Sequence, residues 1–176
     1  GGTNNPANPA SYTIESGGIT LKDPTKDGGY VFAGWYQYPD FSGNKVTQIA
    51  VGSTRNLNLY ARWKHHGVFN ITGSGNTFTI TRSGGSDDTQ KVYYRTQNGS
   101  AIGGTHFTHV DGYVTFNQGE TSKTVTIAEN SVSSAFMTFE ATRFANEDRV
   151  YFLDIYKVEG GGALGSTTRA TRTMAK

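Results

Sequence analysis

The side chains of this 176-residue chain that could do chemistry are four histidines, fourteen acids, many serines and threonines, and an aromatic set of ten Tyr, ten Phe and two Trp. His65 and His66 are adjacent and His106 and His109 are three apart, so each pair points to opposite faces if its backbone is extended. Zinc needs about four converging ligands, and the chain has no cysteine to supply any. No serine stands in a G-x-S-x-G turn, and no two acids are placed to act as acid and base on a sugar. The glycines at 160–162 follow a strand-like run but lead into ALGSTT rather than a helix, which is not a phosphate cradle. These residues predict no catalytic site and no enzyme. Stacking on a sugar ring is the remaining chemistry, and GYVFAGWYQYPDFSG (29–43) raises it. Tyr36 and Tyr38 flank Gln37 ahead of a loop and are the candidate ligand contacts. Trp35 and Trp63 share an apolar register with Phe32, Leu57 and Leu59, and are expected in a core.

The elements that must position these side chains read as strands and turns throughout. Twenty-three glycines, with Thr, Ser, Asn and Tyr in excess over Leu and Ala, do not build helical domains. LNLYARW alternates, with Leu57, Leu59, Ala61 and Trp63 on one side. Further along, FTITR places Phe78 and Ile80 inward, KVYYRT places Val92 and Tyr94 together, YVTF pairs Val114 with Phe116, and KTVTI pairs Val125 with Ile127. RVYFLDIYKV (149–158) is apolar on both faces except at Asp154, which predicts a central strand. Turn signals stand at 83–85, 98–99, 111–112 and 118–119, and strands spaced by about 10 to 15 residues suit a β-sandwich. Residues 135–141 read as a strand or a short helix, and for 128–148 an inserted strand is favoured over a binding loop.

Lys64 to Gly67 is the expected junction between a module at 12–63 and a second domain at 68–176. Residues 1–11 read as a linker or a remnant of cloning, and the whole as a piece of a longer protein. A module as small as the first needs large aromatics, each able to bury about 150 to 250 Å². Sixteen basic residues nearly balance the fourteen acids and are scattered, so no nucleic-acid footprint is expected. No apolar run approaches the ~20 residues that span a bilayer.

YTIESGGITLKDPTKDGGYVFAGWY followed by GNKVTQIAVGSTRNLNLYARW resembles the Listeria–Bacteroides repeat, the B-repeat of internalin-type surface proteins. The matching phrases are Pro24 to Lys26, Gly29 to Tyr36, and Leu59 to Trp63, with Gly28 as an extra glycine. The resemblance covers 12–63 and implies a small ubiquitin-like (β-grasp) module, often with a short helix, without catalytic residues, strung in bacterial envelope proteins.

VYYRTQNGSAIGGTHFTHVDGYVTFNQGETSKTVTI (92–127) resembles a Calx-beta domain through Tyr94, Thr96, Gly99, Ala101, Gly104, Phe107, Gly112, Val114, Phe116, Gly119, Glu120, Thr121, Lys123, Val125 and Ile127. The likeness extends loosely over 68–174 and implies an immunoglobulin-like β-sandwich. Some members of that family bind calcium at one end of the sandwich, through acids near the first strand, in a G-x-D-Y phrase and after the T-V-x-I strand. Here the first region has no acid and the D-Y position is His106-Phe107. Glu129, Glu147 and Asp148 would be what remains of such a site, so no metal or other cofactor is expected, with calcium as the alternative.

The two resemblances together imply an all-β pair of structural or adhesion modules from a large bacterial secreted or surface protein. Its partners would be neighbouring domains and a host or envelope protein or glycan, and the piece itself a monomer. Two alternatives stand beside this. A carbohydrate-binding module would present Tyr36, Tyr38 or Tyr93 with Tyr151 as a coplanar exposed platform. A calcium-stabilised adhesin would gather carboxylates at one pole of the second domain.

Overall fold

A computed structural model describes residues 1–130 and 148–175 of the chain, so the strand expected at 135–141 and the calcium candidate Glu147 lie outside the described residues. The chain forms two compact units, Gly1–His65 and His66–Lys176. Every regular element among the described residues is a strand, and no helix there is long and apolar enough to cross a membrane.

The first unit contains β1 (Ile19–Thr20), β2 (Tyr30–Tyr36), β3 (Gln48–Ile49) and β4 (Tyr60–His65). β1 pairs with β3 and β2 with β4, both antiparallel, and a bridge between Trp35 and Val46 joins β2 to the segment that leads into β3. The unit has no helix, so the short helix that often accompanies the implied β-grasp is not found here. The intervening segments are rich in Gly, Pro and Asn and lack any helical period, which accounts for the missing helix. Phe32 faces Trp63 across the ladder, their rings edge-on at 5.6 Å, and Trp35 meets Phe32 at 5.3 Å. A bulge falls between Phe32 and Gly34, where Gly34 takes a φ of 134° and the Lys45 stem lies against it. Only glycine holds that backbone without strain, which explains the G in the F-A-G-W run.

Trp35 and Trp63 are half-buried, as are Phe32 and Leu59. The most buried aromatic of the unit is Tyr36, 6% exposed and edge-on to Phe41 at 5.8 Å. Tyr36 therefore packs inside and is unavailable to a ligand, whereas Tyr38 is 56% exposed. Tyr36→Leu is expected to destabilise this unit by about 1 to 2 kcal/mol through the lost ring contact. Tyr38→Ala should change it by less than about 0.5 kcal/mol, since nothing packs over an exposed ring. Urea unfolding followed by Trp35 and Trp63 fluorescence reads both. Residues 1–11 run along 22–25: Thr3 and Thr25 exchange two backbone hydrogen bonds of 2.7 and 2.9 Å, and the Asn8 amide bonds both the N–H and the C=O of Lys22.

The second unit is a sandwich of two four-stranded sheets. One holds β11 (Ala163–Leu164), β5 (Val68–Ser74), β6 (Thr77–Ser83) and β9 (Ser122–Thr126) in that order. The other holds β12 (Arg169–Met174), β10 (Arg149–Glu159), β7 (Gln90–Asn98) and β8 (Asp111–Phe116). All pairings are antiparallel except β11 with β5, which runs parallel at Val68 and Phe69. Around that pair Ala163 N–H donates to Gly67 C=O at 3.1 Å, Gly165 N–H to Phe69 C=O at 2.7 Å, and Ile71 N–H to Thr167 C=O at 3.0 Å.

Period-two burial builds the core between the sheets. Phe69, Ile71, Phe78, Ile80, Val92, Phe116, Val125, Ile127, Tyr151, Leu153 and Ile155 are buried, with Tyr94 and Val114 packed partly exposed against them. β10 lies between β12 and β7 as a central strand, with Tyr151, Leu153 and Ile155 inward. Asp111-Gly112, expected as a turn, instead opens β8, because Asp111 pairs with Arg95 and Gly112 lies under the Tyr94 ring. Three polar side chains share the inward phase: Arg82 after Phe78 and Ile80, and Gln90 and Thr96 either side of Val92 and Tyr94, all buried. Gln90 closes the glycine turn by donating to Gly160 C=O at 2.9 Å and accepting from Gly162 N–H at 2.8 Å.

Candidate functional site

Three segments distant in sequence converge at one end of the sandwich. The β5–β6 turn is tied to the end of β9, since Ile127 N–H donates to Asn76 C=O at 2.9 Å and the Asn76 amide donates back to Ile127 C=O at 3.0 Å. The loop 102–107 is tied to 128–130: Phe107 bridges Glu129, Thr108 N–H donates to Ala128 C=O at 2.8 Å, and Asn130 N–H donates to His106 C=O at 2.9 Å. Phe107 is fully buried and stacks on Tyr151, with centroids 4.3 Å apart and planes 20° apart.

Glu129 is the acid at the centre of this end. Arg172 grips it with two parallel hydrogen bonds, Nε to Oε1 at 2.7 Å and Nη2 to Oε2 at 3.1 Å, and the Tyr151 hydroxyl donates to Oε1 at 3.2 Å. Strand pairing places the fork, because Arg172 on β12 lies opposite Tyr151 on β10. The hydrogen bonds from Arg172 hold the Glu129 carboxyl below its ordinary value, against the effect of its partial burial, and the Arg172 charge and the Tyr151 hydroxyl add to them. Burial, then the Glu129 charge, raises the Tyr151 phenol. His106 is buried, with Nδ1 accepting from Ile102 N–H at 2.9 Å and its Nε2 edge against the Arg149 guanidinium. Asp148 is exposed.

The lowered carboxyl sets an acid dependence. The unfolded chain takes up the Glu129 proton at a higher pH than the folded chain does, so the pair stabilises fully above the ordinary value of 4.5 and fades as pH falls through the folded value. The urea midpoint of the second unit is expected to fall on this acid limb, and Glu129→Gln to flatten the limb while lowering the neutral-pH plateau.

The four histidines do not meet. His65 stacks on Tyr30 at 4.6 Å, His66 bonds Asp88 at 2.9 Å with its Nδ1 buried against Gly161, and His109 bonds Thr96 at 2.7 Å. Among the described residues no three His, Asp or Glu side chains are grouped to hold a metal.

The aromatic platform is also arranged differently from the expected one. Tyr151 is fully buried in the core, because it is in phase with Leu153 and Ile155. Tyr93 instead neighbours Tyr113 and Tyr156 on the outer face of the β12-β10-β7-β8 sheet, at 5.5 and 6.2 Å but tilted by 47° and 53°. Lys157, Lys91 and Arg95 lie over the Tyr93, Tyr113 and Tyr156 rings at 4.7, 4.9 and 4.9 Å. The Tyr93 and Tyr156 hydroxyls donate to Glu159 and Asp111, each at 2.9 Å. Sugar stacking needs a flat, uncovered ring, and each of these rings already has a cation over one face. Sequence reasoning missed the cluster, although Lys91, Tyr93 and Arg95 stand in the phase opposite to Val92 and Tyr94.

Residues 1–62 match the Listeria-Bacteroides repeat domain and residues 65–144 match the Calx-beta domain. Among solved structures the chain is similar to the Calx CBD2 domain at 14% identity and a TM-score of 0.51, covering 63% of this chain and 87% of that one. It is also similar to the calcium binding domain CBD12 of CALX1.1 at 20% identity and a TM-score of 0.50, covering 61% of this chain and 45% of that one. At these identities the likeness is one of fold. No curated protein matches the chain.

Proposed function

We infer from a Listeria-Bacteroides repeat at 1–62 followed by a Calx-beta domain at 65–144 that the chain is a pair of non-catalytic modules in series, serving as structural or adhesive architecture in a bacterial secreted or surface protein. The observation that carries this reading is the abutment of the two matches, which leaves only Trp63 and Lys64 between them. Modules joined so closely form an array, and an array presents or anchors other domains without needing a reacting group of its own. The partners in this reading are the neighbouring domains of the parent protein and a host or envelope protein or glycan, and the piece itself is a monomer.

Two measurements test the reading. Antibodies raised against the chain are expected to label intact cells that make it, and labelling only after lysis would overturn the surface assignment. The purified chain is expected to turn over no ester, peptide or glycoside substrate, with or without divalent metal. Turnover that disappears on a single substitution within the chain would replace the structural reading with an enzymatic one.

A further inference from the structure

Calcium-binding relatives of the second domain raise the question of what holds the same end of the sandwich together here. A hard divalent cation takes six to eight oxygens, several of them carboxylate, from separate loops. The three segments that would supply them do converge, but among the described residues their donor set does not fit the ion. The β5–β6 turn brings Gly75 and Asn76 and no carboxylate, and the Asn76 amide nitrogen ties the turn to Ile127 C=O. The 102–107 loop brings a buried imidazole, His106, with the Arg149 guanidinium beside it. The third segment brings Glu129, and Arg172 already engages both of its oxygens. The Arg172 guanidinium thus occupies the carboxylate that a cation site would need free.

We propose that Arg172 is the resident cation of this pole, its guanidinium doing for Glu129 and the joined loops 102–107 and 128–130 what a bound metal ion would otherwise do, so that the second unit is indifferent to calcium. The geometry has the properties the role requires. The fork is bidentate, which fixes direction as well as charge. Both side chains are about three-quarters sequestered, at 25% and 22% exposed, so solvent screens the pair less than it would a surface pair. Glu129 also bridges Phe107 by its backbone, and Phe107 stacks on Tyr151, so the grip on one carboxylate reaches the core. The cation comes with the chain and cannot be chelated. The proposal stands on the second unit alone, whether or not the chain works at a cell surface.

Thermal unfolding of the full chain, in EDTA and in millimolar calcium at matched ionic strength, is the test. The second unit is expected to melt within about 1 °C of the same temperature in both, and Arg172→Met to lower that temperature by about 4 to 8 °C. Glu129→Gln should lower it less, and Arg172→Met with Glu129→Gln should fall well short of the sum, since the second change removes the carboxylate the first has orphaned. Arg172→Lys, which keeps the charge and loses the fork, should lie between wild type and Arg172→Met, and it serves if the methionine variant does not fold. A rise of several degrees with calcium in the wild type would overturn the proposal by showing that a metal still binds. Additive effects of the two substitutions would overturn it by showing that the pair is not a unit.

Discussion

Arg82→Met is expected to cost the second unit about 3 to 5 kcal/mol, the scale seen when one member of a buried charged network is removed. Arg82 is 3% exposed and lies in phase with Phe78 and Ile80. Its Nε donates to His66 C=O at 2.9 Å, Nη1 to Asn117 C=O at 3.3 Å, and Nη2 to the carbonyls of Asp87 and of Asp88, the latter at 3.2 Å. One side chain therefore satisfies carbonyls from three separate segments. Its burial lowers the guanidinium's proton affinity, and the charges of Asp87 and Asp88 act in the opposite sense. Methionine would fill much of the volume but leave the carbonyls without their donor, and each orphaned buried acceptor costs about 1 to 3 kcal/mol. Lysine should recover little, because a single ammonium cannot span the same three segments. Urea denaturation reads the loss as a lower midpoint with unchanged slope. A loss below 1 kcal/mol would mean that water replaces the guanidinium freely.

Phe107→Ala is expected to be of similar size, about 3 to 5 kcal/mol, by a different cause. The ring is fully buried and stacked on Tyr151, which in turn meets Phe78 at 6.1 Å. Truncation leaves a cavity against Tyr151 and loosens the loop that Phe107 anchors to Glu129 through its backbone bridge. Phe107→Leu should cost roughly half as much, because most of the apolar volume remains. If Phe107→Ala and Phe107→Leu cost the same, the stack rather than the volume carries the energy.

The strands of the second unit were legible because their side chains alternate: FTITR, KVYYRT and KTVTI each bury the residues that their phase puts inward. The three buried polar groups Arg82, Gln90 and Thr96 stand in the same register, but alternation alone did not mark them as buried. A charged or amide residue in register with a dry face signals a carbonyl or turn waiting for a donor. Tyr36 and Tyr151 were harder, because a tyrosine in an apolar register reads equally as core or as platform, and only packing decides. The pairing of Glu129 with Arg172 spans 43 residues and depends on β12 lying beside β10, which no local pattern records. In the first unit spacing put Trp35 and Trp63 in a core where they are only half-buried, and gave Tyr36, its most buried aromatic, as a ligand contact. Its ladders were not readable because β1 and β3 are only two residues long.

The parallel pairing of β11 with β5 has a mechanical meaning for the second unit. Chain enters the second unit just before β5 and leaves it after β11 and β12, and β5 and β11 run in the same direction. Tension drawn between the ends of this unit would slide these two strands past each other along their length. The hydrogen bonds joining Gly67, Phe69 and Ile71 to Ala163, Gly165 and Thr167 would then be loaded in shear and yield together. An antiparallel hairpin pulled open from its free ends would unzip them one at a time. Because tension reaches β11 through β12, the short parallel contact and the β10–β12 ladder would carry the load together.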